Sequence, residues 1–178
     1  FGYLKGTYSR DKDASSAALM AAEMISWLKA DNKTVWDLFD DLYQRYGAYY
    51  NDLLNLKFEG AEGFAKMNQL MANLRAKPKK KFGLFDVVEI ADYQTGEILT
   101  PDGKVKGRIE GYKTNMLIYY LRQDHKAAIT VRPSGTEPKV KVYIALYEEL
   151  DSKLNYQTSQ SRIAEKANEL KSELEQLS

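Results

Sequence analysis

Between Thr130 and Tyr147 the sequence runs TVRPSGTEPKVKVYIALY. The stretch from Arg132 to Pro138 gathers groups that suit one kind of chemistry. Arg132 offers a planar fork of N–H donors matched to phosphate oxygens, Ser134 and Thr136 add hydroxyl donors, and Gly135 lets the backbone and its N–H approach a ligand closely. Pro133 and Pro138 restrict the chain on both sides, which lowers the entropy lost when an anion orders the loop. Such a loop suits an oxyanion. The same residue types also dominate plain turns between strands for backbone reasons. The residues alone therefore leave a binding loop and a turn both open.

The flanks say what must position the loop. After it, Val140, Val142, Ile144 and Leu146 alternate with Lys141, Tyr143, Ala145 and Tyr147 at the two-residue period of a half-buried strand. Before it come the apolar runs Met116 to Leu121 and Ala127 to Val131, spaced as antiparallel neighbours. A final helix carries Ile163, Ala167, Leu170, Leu174 and Leu177 on one stripe fit to lie across a sheet.

Upstream the pattern is helical. Ala18, Ala21, Ala22, Ile25 and Leu28 share a face, and Asp13 is placed to cap the helix that carries them. Thr34 with Asp37 opens a second helix in capping-box style, with Val35, Leu38, Phe39, Leu42, Tyr46 and Tyr49 as its stripe. Leu54, Leu56 and Phe58 then alternate as a short strand, and Phe64, Met67, Met71 and Leu74 mark a third helix. A strand is expected near Asp86 to Tyr93, followed by a polar stretch from Thr95 to Gly111. These elements predict an α+β fold with an antiparallel sheet packed by helices, and a boundary near Asn51 that divides residues 1–51 from residues 52–178.

Composition narrows the function classes. With 26 basic and 25 acidic residues the net charge is +1, so nothing global draws the chain to nucleic acid or to an anionic membrane. There is no cysteine and a single histidine, His125, which removes disulfides, thiol nucleophiles and thiolate metal sites. No run approaches the ~20 apolar residues of a membrane helix, and a cytoplasmic location fits this composition. Several of the thirteen tyrosines lie on one apolar face, Tyr43, Tyr46, Tyr49 and Tyr50 among them, and read as packing rather than base stacking. Lys77 to Lys81 reads as a solvated turn, and His125 beside Asp124 as a loop residue. The opening FGYLKGTYSR has no initiator methionine and is expected of a piece of a longer protein.

The residues from Arg132 to Lys139, Arg-Pro-Ser-Gly-Thr-Glu-Pro-Lys, resemble the phosphate-binding loop in the C-terminal domain of the α-D-phosphohexomutases, the phosphoglucomutase/phosphomannomutase superfamily. Gly2 with Arg10-Asp-Lys-Asp13 is similar to the segment that follows the sugar-recognition loop of the third domain in these enzymes. The resemblance implies that residues 1–51 are a helical remnant of an α/β sugar-recognition domain and that residues 52–178 form the small phosphate-binding domain. It implies that Arg132, Ser134, Gly135 and Thr136 hold the phosphate at the non-reacting end of a hexose, that Lys139 adds positive charge, and that Lys12 reaches the cleft.

The same resemblance implies a parent isomerase that interconverts hexose 1-phosphate and hexose 6-phosphate, glucose being favoured. The reaction would use a phosphoserine, Mg2+ and a glucose 1,6-bisphosphate intermediate. The sequence holds no serine in a Thr-Ala-Ser-His-Asn-Pro-like setting and no Asp-Gly-Asp-Gly-Asp loop. No catalytic or metal-ligating residue is therefore expected in it, and the chain alone is expected to be inactive. Its expected partners are a phosphorylated hexose, the rest of the parent chain and, through the apolar face of the first two helices, a second copy. The reading of a different class is a non-catalytic anion-binding or protein-interaction module.

Overall fold

Two helices lead into a sheet, and the computed structural model describes residues 3–149 and 156–177 of the chain. In chain order the elements are α1 (Ala14–Ala30), α2 (Val35–Tyr46), β1 (Ala48–Lys57), α3 (Gly63–Ala76), β2 (Lys81–Phe82) and β3 (Phe85–Asp86). They continue with β4 (Glu89–Asp92), β5 (Glu97–Leu99), β6 (Val105–Arg108), β7 (Leu117–Tyr120), β8 (Ala128–Pro133), β9 (Lys139–Glu148) and α4 (Tyr156–Glu175). The main sheet has seven strands in the order β1-β9-β8-β7-β4-β5-β6, and every pairing is antiparallel. Strands β2 and β3 form a separate small ribbon. The α+β class expected from the sequence is what the chain adopts.

The alternation of β9 fills the core. Val140, Val142, Ile144 and Leu146 are buried, as are Ile129 and Val131 on β8 and Leu117 and Tyr119 on β7. Met67, Met71 and Leu74 of α3 and Ile163, Ala167, Leu170 and Leu174 of α4 close over that face. At roughly 1.5–3 kcal/mol for each fully buried aliphatic side chain, this face supplies most of the drive to fold. Arg75 ties the end of α3 to β4, donating to Asp92 at 2.9 Å and 3.3 Å and to Asn115 at 2.7 Å.

The first two helices are capped as the sequence suggests. Asp13 accepts from the Ser15 and Ser16 amides at 3.0 Å and 3.2 Å. The Thr34 hydroxyl accepts from the Asp37 amide while the Asp37 carboxylate accepts from the Thr34 amide. Leu28 is the one residue of α1 that is buried, among the described residues, and Leu19, Ile25, Trp27 and Trp36 are exposed. The join of α2 to α4 is aromatic: Phe39 stacks on Tyr156 at 4.9 Å, and Tyr43 meets the same ring edge-on at 4.6 Å.

Two element bounds differ from the sequence reading. The helical stripe that ran on to Tyr49 stops at Tyr46, and β1 begins at Ala48 rather than near Leu54. The cause is Gly47, whose φ of 86° ends the helix while its amide donates to the Tyr43 carbonyl at 2.8 Å. Tyr46, Tyr49 and Tyr50 kept a helical spacing only by coincidence, and Tyr49 instead packs on Tyr147 with ring centroids 4.9 Å apart. The polar stretch from Thr95 to Gly111 also holds two short strands, β5 and the edge strand β6. The sequence VKGR of β6 has no alternating apolar face to announce it. Gly2 lies outside the described residues.

Gly47 is also sterically fixed, because a Cβ there would lie 2.4 Å from the Tyr147 ring. Gly47→Ala is expected to lower stability by about 1–3 kcal/mol, read from the urea unfolding midpoint. Asp52 on β1 accepts from Lys171 of α4 at 2.7 Å and from the Tyr50 hydroxyl at 3.0 Å, and chiefly the Lys171 bond holds its carboxyl below the usual range. A carboxyl lowered by folding stabilises fully above its unfolded pKa, and that contribution is lost as pH falls through the lower, folded value. Asp52→Asn is thus expected to flatten the acid limb of the stability profile between roughly pH 5 and pH 2, measured by denaturant titration.

Candidate functional site

The loop from Ser134 to Pro138 joins β8 to β9 and is held by the main chain. The Ser134 amide donates to the Lys139 carbonyl at 2.8 Å, the Lys139 amide to the Glu137 carbonyl at 2.7 Å, and the Phe58 amide to the Pro138 carbonyl at 2.9 Å. The last bond ties the loop to the end of β1. Gly63, the first residue of α3, packs so closely that an added Cβ would sit 2.3 Å from the Phe58 carbonyl oxygen and 2.9 Å from Pro138 Cβ. The loop therefore has a floor built from β1 and α3.

Its side chains are available. Arg132, Gly135 and Thr136 are exposed and Ser134 is half-buried. Among the described residues no hydrogen bond or ion pair engages the side chains of Arg132, Ser134 or Thr136. Gly135 does not have a positive φ, and a Cβ added to it would meet nothing within 4 Å. Nothing in the chain itself requires glycine there. The space its missing side chain leaves opens outward.

Strand pairing then adds charge that the loop sequence does not show. Arg132 pairs with Lys141 across β8 and β9, and Lys139 pairs with Lys57 across β9 and β1. Cross-strand partners share a face of the sheet. Arg132, Lys139, Lys141 and Lys57 consequently gather on the face opposite the core, at the end where the loop sits. Lys57 and Lys141 are not among the site residues expected from the sequence. The period-2 alternation that marked Val140 as inward also marks Lys139 and Lys141 as outward, but Lys57 joins them only through a pairing across 82 positions of chain, from Lys57 to Lys139. Glu137 stands in their midst, ion-paired with Lys139, and Glu59 lies two residues beyond Lys57 on the wall of the cavity they share. Lys139, with weaker help from Lys141 and Lys57, holds the Glu137 carboxyl below the usual range.

The other candidates fall elsewhere. Lys12 is exposed and paired with its neighbour Asp11 at 2.6 Å. Asp124 pairs with Arg122 at 3.1 Å, while His125 stacks on Tyr120 and places Nε2 3.2 Å from Glu89 Oε1. Within the Lys77 to Lys81 run, Lys79 pairs with Glu173 at 3.5 Å. Among the described residues no group of three His, Asp or Glu side chains could hold a metal ion. None of the helices is long and apolar enough to cross a membrane among the described residues.

The chain belongs to the family of the phosphoglucomutase/phosphomannomutase C-terminal domain, which it matches over residues 53–149. That span runs from β1 to the end of β9 and contains the whole loop. Among its relatives is the phosphoglucomutase of Staphylococcus aureus strain bovine RF122 / ET3-1, 31% identical over 159 residues, a match that takes in 87% of this chain and 28% of the relative. The phosphoglucomutase of strain MSSA476 is 30% identical over the same length, with the same coverage. The chain thus spans less than a third of the curated relatives it matches. A solved structure it is similar to is the open form of parafusin, an exocytosis-sensitive phosphoprotein (phosphoglucomutase) of Paramecium. That match has a TM-score of 0.49 at 17% identity and covers 92% of this chain and 27% of that one.

Because Gly63 is the loop's closest support, Gly63→Ala is expected to push Pro138 outward. The measurable result is a shift of the Ser134 to Thr136 amide resonances with a stability loss of about 1–3 kcal/mol, the usual range for overpacking. Unmoved loop resonances would show that α3 does not set the loop's shape.

Proposed function

We propose that this chain is the substrate-phosphate-binding part of a phosphohexomutase, an isomerase that interconverts hexose 1-phosphate and hexose 6-phosphate through a phosphoserine and a bisphosphate intermediate. The observation that carries the reading is the unengaged donor set of Arg132, Ser134 and Thr136 around an outward-opening Gly135. Free donors at a preformed turn suit a ligand with several acceptor oxygens. In this reading the guanidinium grips the phosphate at the non-reacting end of the sugar, the hydroxyls and the Gly135 N–H take its remaining oxygens, and Lys139 supplies charge. Lys12 joins the cleft only when further parts of the enzyme are present.

The substrate is a phosphorylated hexose, with glucose favoured over mannose, and glucose 1,6-bisphosphate is the intermediate. Residues 1–51 serve as a piece of the preceding sugar-recognition domain and residues 52–178 as the phosphate-binding domain of a cytoplasmic enzyme, the division falling within β1, whose first four residues already pair with β9. The exposed apolar residues of α1 and α2 seat against the rest of the parent chain, or against a second copy when the chain is alone. Magnesium would neutralise charge during phosphoryl transfer in the parent, but the residues described here do not form its site, and no step through it is assigned to them. Binding without a nucleophile gives no chemical step, so the chain alone has no mutase activity.

Titration of the 15N-labelled chain with inorganic phosphate tests this. The amides of Ser134, Gly135 and Thr136 are expected to shift together and saturate with a dissociation constant no tighter than about 1 mM. Arg132→Ala is expected to weaken that binding about tenfold to hundredfold, the worth of a charge-assisted hydrogen bond. Loop amides that stay still while those of Lys77 to Lys81 drift would contradict the reading and favour a non-catalytic interaction module.

A further inference from the structure

Glu137 is out of place in a loop made to hold an anion. It is the single acidic residue between Arg132 and Lys141, and it stands next to the charges that an oxyanion would use. The backbone puts it there. The Lys139 amide turns back to the Glu137 carbonyl at 2.7 Å around Pro138, whose own carbonyl is pinned by the Phe58 amide at 2.9 Å. Both side chains therefore leave a fixed turn in the same neighbourhood, and the carboxylate meets the Lys139 ammonium as an ion pair. The two partners are unequally buried: the Glu137 side chain is 57% exposed and the Lys139 side chain 25%. Glu137 has solvent to move into, whereas Lys139 stays beside the loop. A cavity of about 430 Å³ opens here, with Lys57, Glu59, Gly60, Glu137 and Lys139 in its wall, and of its two carboxylates it is Glu137 that pairs with Lys139.

We propose that Glu137 is a built-in competing anion of the loop: its carboxylate occupies Lys139 until a phosphate displaces it, so that Glu137 sets how weakly the phosphate is held. The inference rests on the phosphate-binding reading above and adds to it the residue that limits affinity. The physical basis is exchange of one anion for another. An incoming phosphate that takes Lys139 must break the existing ion pair and then lie near a carboxylate of like charge, and both effects oppose binding. The three lysines that hold Glu137 ionised, Lys139 first and then Lys141 and Lys57, are the same charges that would draw the phosphate in. The bisphosphate intermediate of the proposed reaction must let go of the loop and return by its other end. A clamp with an internal competitor releases its anion faster than one without.

The test compares phosphate titrations, followed by loop amide shifts, for the wild-type chain, Glu137→Gln, Lys139→Ala and the double variant. Glu137→Gln is expected to bind inorganic phosphate about twofold to fivefold more tightly, the scale of an exposed ion pair. That gain should shrink as salt is raised to about 0.5 M, because screening weakens the competitor and the clamp together. In the Lys139→Ala background, Glu137→Gln is expected to lose most of its effect. If Glu137→Gln binds phosphate no more tightly than wild type while loop amides in both still saturate, the competing-anion role is overturned and the phosphate site stands. An equal gain with and without Lys139 would also overturn it, since the carboxylate would then act on the phosphate alone. Loop amides unmoved in every variant would bring down the phosphate site and this inference with it.

Discussion

The register of β9 is the constraint from which the rest of the structure follows. Its ten residues pair with β1 on one side, Val140 to Ala145 also pair with β8 on the other, and the strand alternates strictly between buried valine and isoleucine and outward lysine, tyrosine and alanine as far as Ala145. A slip of one residue would send Val140, Val142 and Ile144 to solvent and Lys141 into the core. Because burial forbids that slip, the same register that builds the core also fixes where the charges stand. Lys141 is held opposite Arg132 and Lys139 opposite Lys57. Core and candidate site are two faces of one strand.

Positioning of the loop is then mostly a matter of backbone. Its ends are set by β8 and β9, its middle by the Phe58 and Lys139 amides, and its floor by Gly63. No side chain of the loop is spent on holding the turn except the Glu137–Lys139 pair. Arg132, Ser134 and Thr136 therefore keep their donors unengaged, as the proposed oxyanion site requires. Such preorganisation lowers the ordering entropy that a flexible loop would lose on binding. The helical pair α1 and α2 shows the reverse condition, with capped ends and a well-formed aromatic join at Tyr156, but with Leu19, Trp27 and Trp36 left exposed.

Much of this was legible in the sequence because the informative residues obey a local period. The alternation of Val140 to Leu146 and the stripe Ile163, Ala167, Leu170 and Leu174 are buried as that period requires, and Asp13 and Thr34 cap as their types suggest. The run from Arg132 to Lys139 pointed to the family to which the chain belongs, and the proposed anion-binding role of Arg132, Ser134 and Thr136 is a reading of their chemistry. What stayed hidden was non-local or featureless. Tyr46, Tyr49 and Tyr50 imitated a helix across Gly47, which only its positive φ reveals as the break. Strand β5 is only three residues long, and the edge strand β6 carries no alternating apolar face to mark it. Lys57 enters the charged cluster only because β1 and β9 pair across most of the domain, and no local pattern encodes that meeting.

The central claim is that one strand register assembles an oxyanion site from Arg132, Ser134, Gly135 and Thr136. A crystal structure of the chain grown with phosphate tests it most directly. The account requires anion density within hydrogen-bonding distance of the Arg132 guanidinium, the Ser134 and Thr136 hydroxyls and the Gly135 amide, with Lys139 and Lys141 on the same side of the sheet. Phosphate bound only at the Lys77 to Lys81 run, with the Arg132 guanidinium turned away from an empty loop, would contradict it.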